Sequence, residues 1–240
     1  MGQTDFDRPL IIALDFPDRE SALSFLARFK EPLYVKVGME LFYREGPPFV
    51  TELVSAGHRV FLDLKLHDIP VTVERAMRNL AALGADLVNV HAAGGPEMMR
   101  AALRGLESGT PRGKKRPLCV AVTQLTSTDE SMMKEYLGVS ESLEENVLRL
   151  AGAAKESGLD GVVCSALESR MVNERFGKDF RTVTPGIRLE EDSRFDQKRV
   201  VTPAQANRNK AWAIVAGRGI TRAEDPYYAY HRYNKEWRNG

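Results

Sequence analysis

The chain is 240 residues long, 43% hydrophobic and 28% charged, with a formal net charge of +1. That length holds one large domain or two small ones, and the near-neutral charge argues against a dedicated nucleic-acid binder, because no basic block is left unbalanced. The start, MGQTDFDRPL, is polar with no signal-peptide core, and no apolar run approaches the length of a membrane span, so a cytoplasmic protein is expected.

Short apolar runs then alternate with helical patterns almost from end to end. Residues 10–14 (LIIAL) are the first expected strand, closed by Asp15, and 18–29 carry helical spacing with Asp18 as N-cap. Residues 33–37 (LYVKV) are the second strand, holding Lys36 and ending at Gly38. A helix over 46–55 follows, with Gly57 as its C-cap. The third strand starts at Val60 and runs into FLDLKLHDIP, residues 61–70. Asp63 and Lys65 interrupt an otherwise apolar run, and Asp68 stands just past its end. Strand alternation puts Asp63 and Lys65 on one face. Charges in such a run need partners, so Asp63, Lys65 and Asp68 are expected to pair.

A helix over 71–83 stops at Gly84, and LVNV (87–90) is the fourth strand, ending at His91 and AAGG. Residues 96–106 are helical, and the basic run RGKKR (112–116), set between two prolines, reads as a solvated loop. The fifth strand is 118–122, followed by Thr123, Gln124, Leu125, Thr126 and Ser127. A polar-to-helical stretch spans 129–157, the sixth strand 161–164, and a short helix 168–175. The seventh strand, 180–183, leads into TPGIR, and after a short helix (203–209) the eighth, 213–216, leads into GRGIT; 225–237 is the closing helix. Cys119 and Cys164 lie inside strand-like runs and read as small core residues, not as a disulfide or metal site.

Eight strand–helix units without a dividing linker imply parallel pairing and right-handed crossovers. The expected fold is a single (β/α)8 TIM barrel over residues 1–240, with its active site at the C-terminal ends of the strands. An open doubly wound sheet is the alternative, weakened because no Gly-x-Gly-x-x-Gly follows the first strand.

The expected strand ends carry Asp15, Lys36, Asp63, Lys65, Asp68, His91, Thr123, Thr126, Ser165, residues 184–188, Gly217 and Arg218. Barrels commonly bind phosphate with the loops after strands seven and eight. Gly186, Gly217 and Gly219 let backbone N–H groups approach an anion and Arg218 adds a fork of donors, which points to a phosphate monoester. The plainer reading is that these glycines merely turn the chain. Lys36, Asp63, Lys65 and Asp68 form an alternating set of cations and anions, suited to a proton-donating, charged Lys65 better than to a Schiff-base lysine. His67 falls off the active face by alternation, His91 is undecided, and with no third ligand nearby no metal site is expected.

With these residues assembled, the chain resembles the orotidine 5′-phosphate decarboxylase family over essentially its whole length. The resemblance rests on IIALDF, YVKVGMELF, FLDLKLHDIP, LVNVHAAGG, AVTQLTS, LDGVVCS, TVTPGIR and DQKRVVTPAQA, in family order. It implies conversion of orotidine 5′-monophosphate to UMP and CO2, in pyrimidine biosynthesis, without metal or organic cofactor. By the same resemblance Lys65 is the proton donor to C6, Asp63 stands beside the substrate carboxylate, and Lys36 and Asp15 contact the ribose. Asp68, with Thr72 close behind, reaches the neighbouring site of a homodimer, and Thr126 contacts the base. Pro185, Arg188, Gln197, Gly217 and Arg218 match phosphate and loop-closing positions, Gln197 lying in a covering loop over 190–198. Two departures stand out. Gly219 occupies a place where relatives often have Pro or Ser, and is expected to loosen that turn; ANRNKAW (206–212) lacks the glycine usual before the eighth strand. A magnesium-dependent phosphosugar decarboxylase or aldolase of the same barrel group, and a silent phosphate-binding barrel, are the competing readings.

Overall fold

The computed structural model describes residues 8–190 and 201–240, and in them eight parallel strands close into a barrel in chain order. They are β1 (Leu10–Ala13), β2 (Tyr34–Gly38), β3 (Arg59–Leu66), β4 (Leu87–His91), β5 (Leu118–Val122), β6 (Gly161–Val163), β7 (Arg181–Thr184) and β8 (Ala213–Ala216). Around them lie α1 (Arg19–Leu26), α2 (Met39–Ser55), α3 (Pro70–Ala82), α4 (Gly95–Gly109), α5 (Glu130–Tyr136), α6 (Leu143–Glu156), α7 (Ala166–Phe176), α8 (Pro203–Arg208), α9 (Arg218–Thr221) and α10 (Pro226–Asn239). The TIM-barrel expectation holds. No helix among the described residues is long and apolar enough to cross a membrane.

Alternation along the strands divides the core in two. Ile11, Ala13, Tyr34, Phe61, Val120 and Val183 belong to a cluster filling the barrel, while Leu10, Ile12, Leu14, Val35, Leu62 and Ala121 pack outward against the helices. Cys119 and Cys164 are buried and unpaired, and burial pushes the Cys119 thiol up to about 12, so both are inert packing residues. The helix starts follow their caps: Asp18 accepts the Ser21 amide at 2.8 Å, and Ser142, Ser165 and Thr202 each form a capping box.

One repeated device fixes register at the N-terminal face. Asp86 accepts the Val60 amide and the Arg59 guanidinium, both at 2.9 Å. Asp160 accepts the Cys119 amide at 2.8 Å and both Arg116 Nη groups, at 2.7 and 3.1 Å. The chain is clasped here as well: Trp237 Nε1 donates to the Arg8 carbonyl at 2.9 Å, and the Arg8 guanidinium lies 4.5 Å from the Trp237 ring centroid.

Helices α3 and α4 pack backbone against side-chain-free surface. A Cβ at Gly105 would fall 2.2 Å from the Glu74 carbonyl, and one at Gly109 would fall 2.1 Å from that of Arg78. Only glycine permits that approach, which presses together the two helices that follow β3 and β4.

Three stretches differ most from the sequence reading. Helix α2 begins at Met39, with a break at Gly46 (φ 69°) just before Pro47 and Pro48, so one helical turn set precedes the expected one. The 129–157 stretch is two helices, separated at Gly138 (φ 65°) and restarted by Ser142. After α8, where a glycine was expected, Lys210 takes φ 61°. Ala211 N–H reaches the Ala206 carbonyl at 3.1 Å and Lys210 N–H the Asn207 carbonyl at 2.8 Å, a Schellman cap built without glycine. The turn at Gly219 is closed, with the Ile220 and Thr221 amides both donating to the Gly217 carbonyl.

Candidate active site

The charges at the C-terminal mouth form a continuous chain. Asp15, two residues beyond the end of β1, accepts from Lys36 Nζ at 3.1 Å. Lys36, on β2, lies 3.4 Å from Asp63 Oδ2, and Asp63 Oδ1 accepts from Lys65 Nζ at 2.7 Å. Asp63 is buried, 9% exposed, which by itself would raise its pKa; the adjacent Lys36 and Lys65 charges, with hydrogen bonds from Lys65 and Asn89, reverse this and hold the carboxyl below its ordinary range.

Asp63 and Lys65 meet, but simple alternation is not the reason. Lys65 has φ 51°, the left-handed region that side-chain-bearing residues rarely occupy. The β3–β4 register jumps there: Leu62 pairs with Val88 and Leu66 with Val90, so two extra residues of β3 bulge over Asn89. Asn89 occupies the gap. Its Oδ1 accepts the Lys65 backbone N–H at 2.8 Å, and its Nδ2 donates to Asp63 Oδ1 at 2.7 Å. The sequence reading missed this residue. The available signal was a polar side chain inside LVNV, which at 1% exposure must have partners.

Lys36, Asp63, Lys65, Thr126 and Pro185 line a cavity of about 320 Å³, together with Gln124 and Ser127. A second cavity of about 430 Å³ adjoins it, sharing Gln124, Thr126, Ser127 and Pro185 and adding Ser165 and Gly186. Gly186, φ 79°, turns the chain beneath it. Gly217 sits beside the charge chain, where a Cβ would lie 3.8 Å from Asp15 Oδ2. Arg218 is exposed in the first turn of α9, and the Arg188 amide donates to the Val201 carbonyl at 3.2 Å. Gln197 lies outside the described residues.

The expected pairing of Asp68 with Lys65 is not found. Asp68 is exposed, its carboxylate accepts the Ile69 amide at 2.7 Å, and among the described residues it joins no ion pair. Thr72 is exposed in the first turn of α3. His67 and His91 stand with ring centroids 5.6 Å apart; burial first, then the neighbouring His67 and Lys65 charges, lower the His91 pKa. No group of three or more His, Cys, Asp or Glu residues able to hold a metal ion occurs among the described residues.

The family described as "Orotidine 5'-phosphate decarboxylase / HUMPS family" matches residues 8–233. This chain belongs to that family. Among its relatives, the orotidine 5′-phosphate decarboxylase of Bacillus pumilus (strain SAFR-032) is 60% identical over 228 residues, covering 95% of this chain and 97% of that one. That of Bacillus caldolyticus is 58% identical over 233 residues, covering 97% and 96%. The crystal structure of orotidine 5′-phosphate decarboxylase from Lactobacillus acidophilus superposes with a TM-score of 0.88 at 43% identity, covering 98% of this chain and all of that one. An uncharacterized conserved protein from Geobacillus kaustophilus gives 0.86 at 53% identity, covering 95% of this chain and all of its own. The family of decarboxylases thus coincides with the chain over the whole barrel, including every strand end that carries the charge chain.

Proposed function

We propose that this protein is a cytoplasmic carboxy-lyase that converts orotidine 5′-monophosphate to UMP and CO2 for pyrimidine biosynthesis, without metal or organic cofactor. The observation that carries the proposal is the Asp15–Lys36–Asp63–Lys65 chain, three of whose four residues line a cavity, in a chain that belongs to the decarboxylase family.

Breaking the C6–carboxylate bond releases CO2 and leaves the electron pair on C6, with little resonance help. The site must therefore stabilise developing negative charge. Lys65 is the cation assigned to this, and its Nζ–H then passes to C6. Asp63, held ionised, keeps the ammonium in place and faces the departing carboxylate. Lys36 and Asp15 form the other end of the same chain, suited to ribose hydroxyls. Phosphate is assigned to Arg218, Arg188, the Gly217 loop and Gln197, with Pro185 and Thr126 along the cavity between phosphate and base. The two lysines compensate the carboxylates that a divalent cation would otherwise claim, which supports metal independence.

Asp68 and Thr72 are assigned to the neighbouring site of a homodimer. An exposed carboxylate next to exposed Ile69 (63%) and Val71 (49%) supports an edge that a second copy covers. The direct test is loss of orotidine 5′-monophosphate absorbance with EDTA present. Turnover is expected at full rate; no turnover, or turnover restored by Mg2+ alone, overturns the proposal, the second outcome favouring a magnesium-dependent relative of the same barrel group.

A further inference from the structure

The bulge in β3 raises a question that the charge chain alone does not answer: what holds a lysine in left-handed backbone at the reacting position. The Lys65 amide has no ladder partner on β4, because the register jumps across it from Leu62–Val88 to Leu66–Val90. Its hydrogen bond goes to the Asn89 side chain instead. The other half of the same amide group holds Asp63 Oδ1, the atom that also takes Lys65 Nζ. Both ends of the Asn89 group are chemically fixed, since a backbone N–H demands the carbonyl oxygen and a carboxylate demands the NH2. One buried side chain thus ties the backbone of Lys65 to the carboxylate that orients its ammonium.

We propose that Asn89 is a positioning residue for the decarboxylation, setting the Lys65 backbone and the Asp63 carboxylate as a unit. The inference rests on the decarboxylase reading above. Asn89 has no path of its own to substrate: it is 1% exposed and acts through its two neighbours. Aspartate would replace the NH2 donor with an acceptor when ionised, but its protonated form reproduces both hydrogen bonds, O–H to Asp63 and C=O from Lys65 N–H. Two carboxyls so close share one proton over part of the pH range. The charged or titratable groups around them are Asp63 and Lys65 of β3, Lys36 of β2, His91 of β4 itself and His67 beyond β3; β5 presents Val120 opposite Asn89.

The test compares wild type with Asn89→Ala, Asn89→Leu and Asn89→Asp, measuring kcat, UMP affinity, the pH profile and folding by circular dichroism. For Ala and Leu, kcat is expected to fall roughly 10- to 100-fold through misplacement of Lys65, while the Kd for UMP stays within about threefold because phosphate and ribose contacts are untouched. For Asn89→Asp, the ratio of variant to wild-type kcat is expected to be highest in acid and to fall as pH rises, a signature that a role in core packing would not produce. Wild-type kcat in the Ala and Leu variants, or a pH-independent ratio for Asn89→Asp, would overturn the proposal while leaving the decarboxylase reading intact. Unfolding of all three would assign Asn89 to the core and overturn it equally. Absence of wild-type turnover would sink the decarboxylase reading and take this inference with it.

Discussion

Lys65 and Lys210 are the two residues other than glycine with positive φ among those described, and they use that conformation differently. At Lys210 it closes a helix cap, a position glycine fills without steric cost. Lys210→Gly is therefore expected to raise stability by about 0.5–1 kcal/mol, visible as a Tm increase of roughly 1–4 °C with kcat unchanged. At Lys65 the strain is retained because it delivers the ammonium to Asp63. Lys65→Ala should lower turnover at least about a thousandfold, since both the cation and the proton donor are lost, while UMP binding remains detectable by calorimetry; near-normal turnover would refute the role. Asp63 adds a pH dependence. Its folded-state pKa lies below the ordinary 3.8, so its contribution to stability is complete above about pH 4 and disappears as pH falls through the depressed value. Thermal melts across this range should show a steeper acid decline in wild type than in Asp63→Asn.

At the scale of elements, function and register are assigned to opposite ends of the strands. Asp160 accepts three hydrogen bonds at the N-terminal end of β6, two of them from Arg116. Asp160→Ala removes the acceptor of the Cys119 amide and leaves the half-buried Arg116 guanidinium only the Pro117 carbonyl, and is expected to cost about 2–3 kcal/mol in urea unfolding, with kcat unaffected. Elements were also where the sequence was most readable. Apolar runs placed all eight strands, and Asp63 and Lys65 stood out because charge inside such a run requires a partner. The bulge did not show, because nothing in DLKL marks a register jump; it arises from pairing with β4 and from Asn89, distant in sequence. The first half of α2 was hidden behind the Gly46-Pro47-Pro48 break, where helical spacing is interrupted. Asp68 was placed at the right strand end, but its pairing was misjudged, since alternation fails once Lys65 leaves extended backbone.

For the whole molecule, the proposed dimer gives the sharpest expectation. If each site takes Asp68 from its partner, Lys65→Ala and Asp68→Ala chains should complement one another. Each mixed dimer would contain one site with an intact Lys65 and the partner's Asp68, and one doubly damaged site. After equal mixing and subunit exchange, activity should rise from near zero to about a quarter of the wild-type value. No recovery, with exchange confirmed by mass spectrometry, would place Asp68 in its own chain's site or outside the chemistry.

Barrel closure has a consequence for how the chain is made. Leu10 of β1 pairs with Ile214 of β8, and Arg8 is clasped by Trp237, so the first barrel strand to be made is the last to gain its second neighbour. Every other neighbouring pair of strands is joined through a single connection. Throughout synthesis the outer edge of β1 therefore stays open, an unpaired row of N–H and C=O groups able to recruit a foreign strand. Its shortness, four residues, limits that hazard, and pairing with β8 ends it.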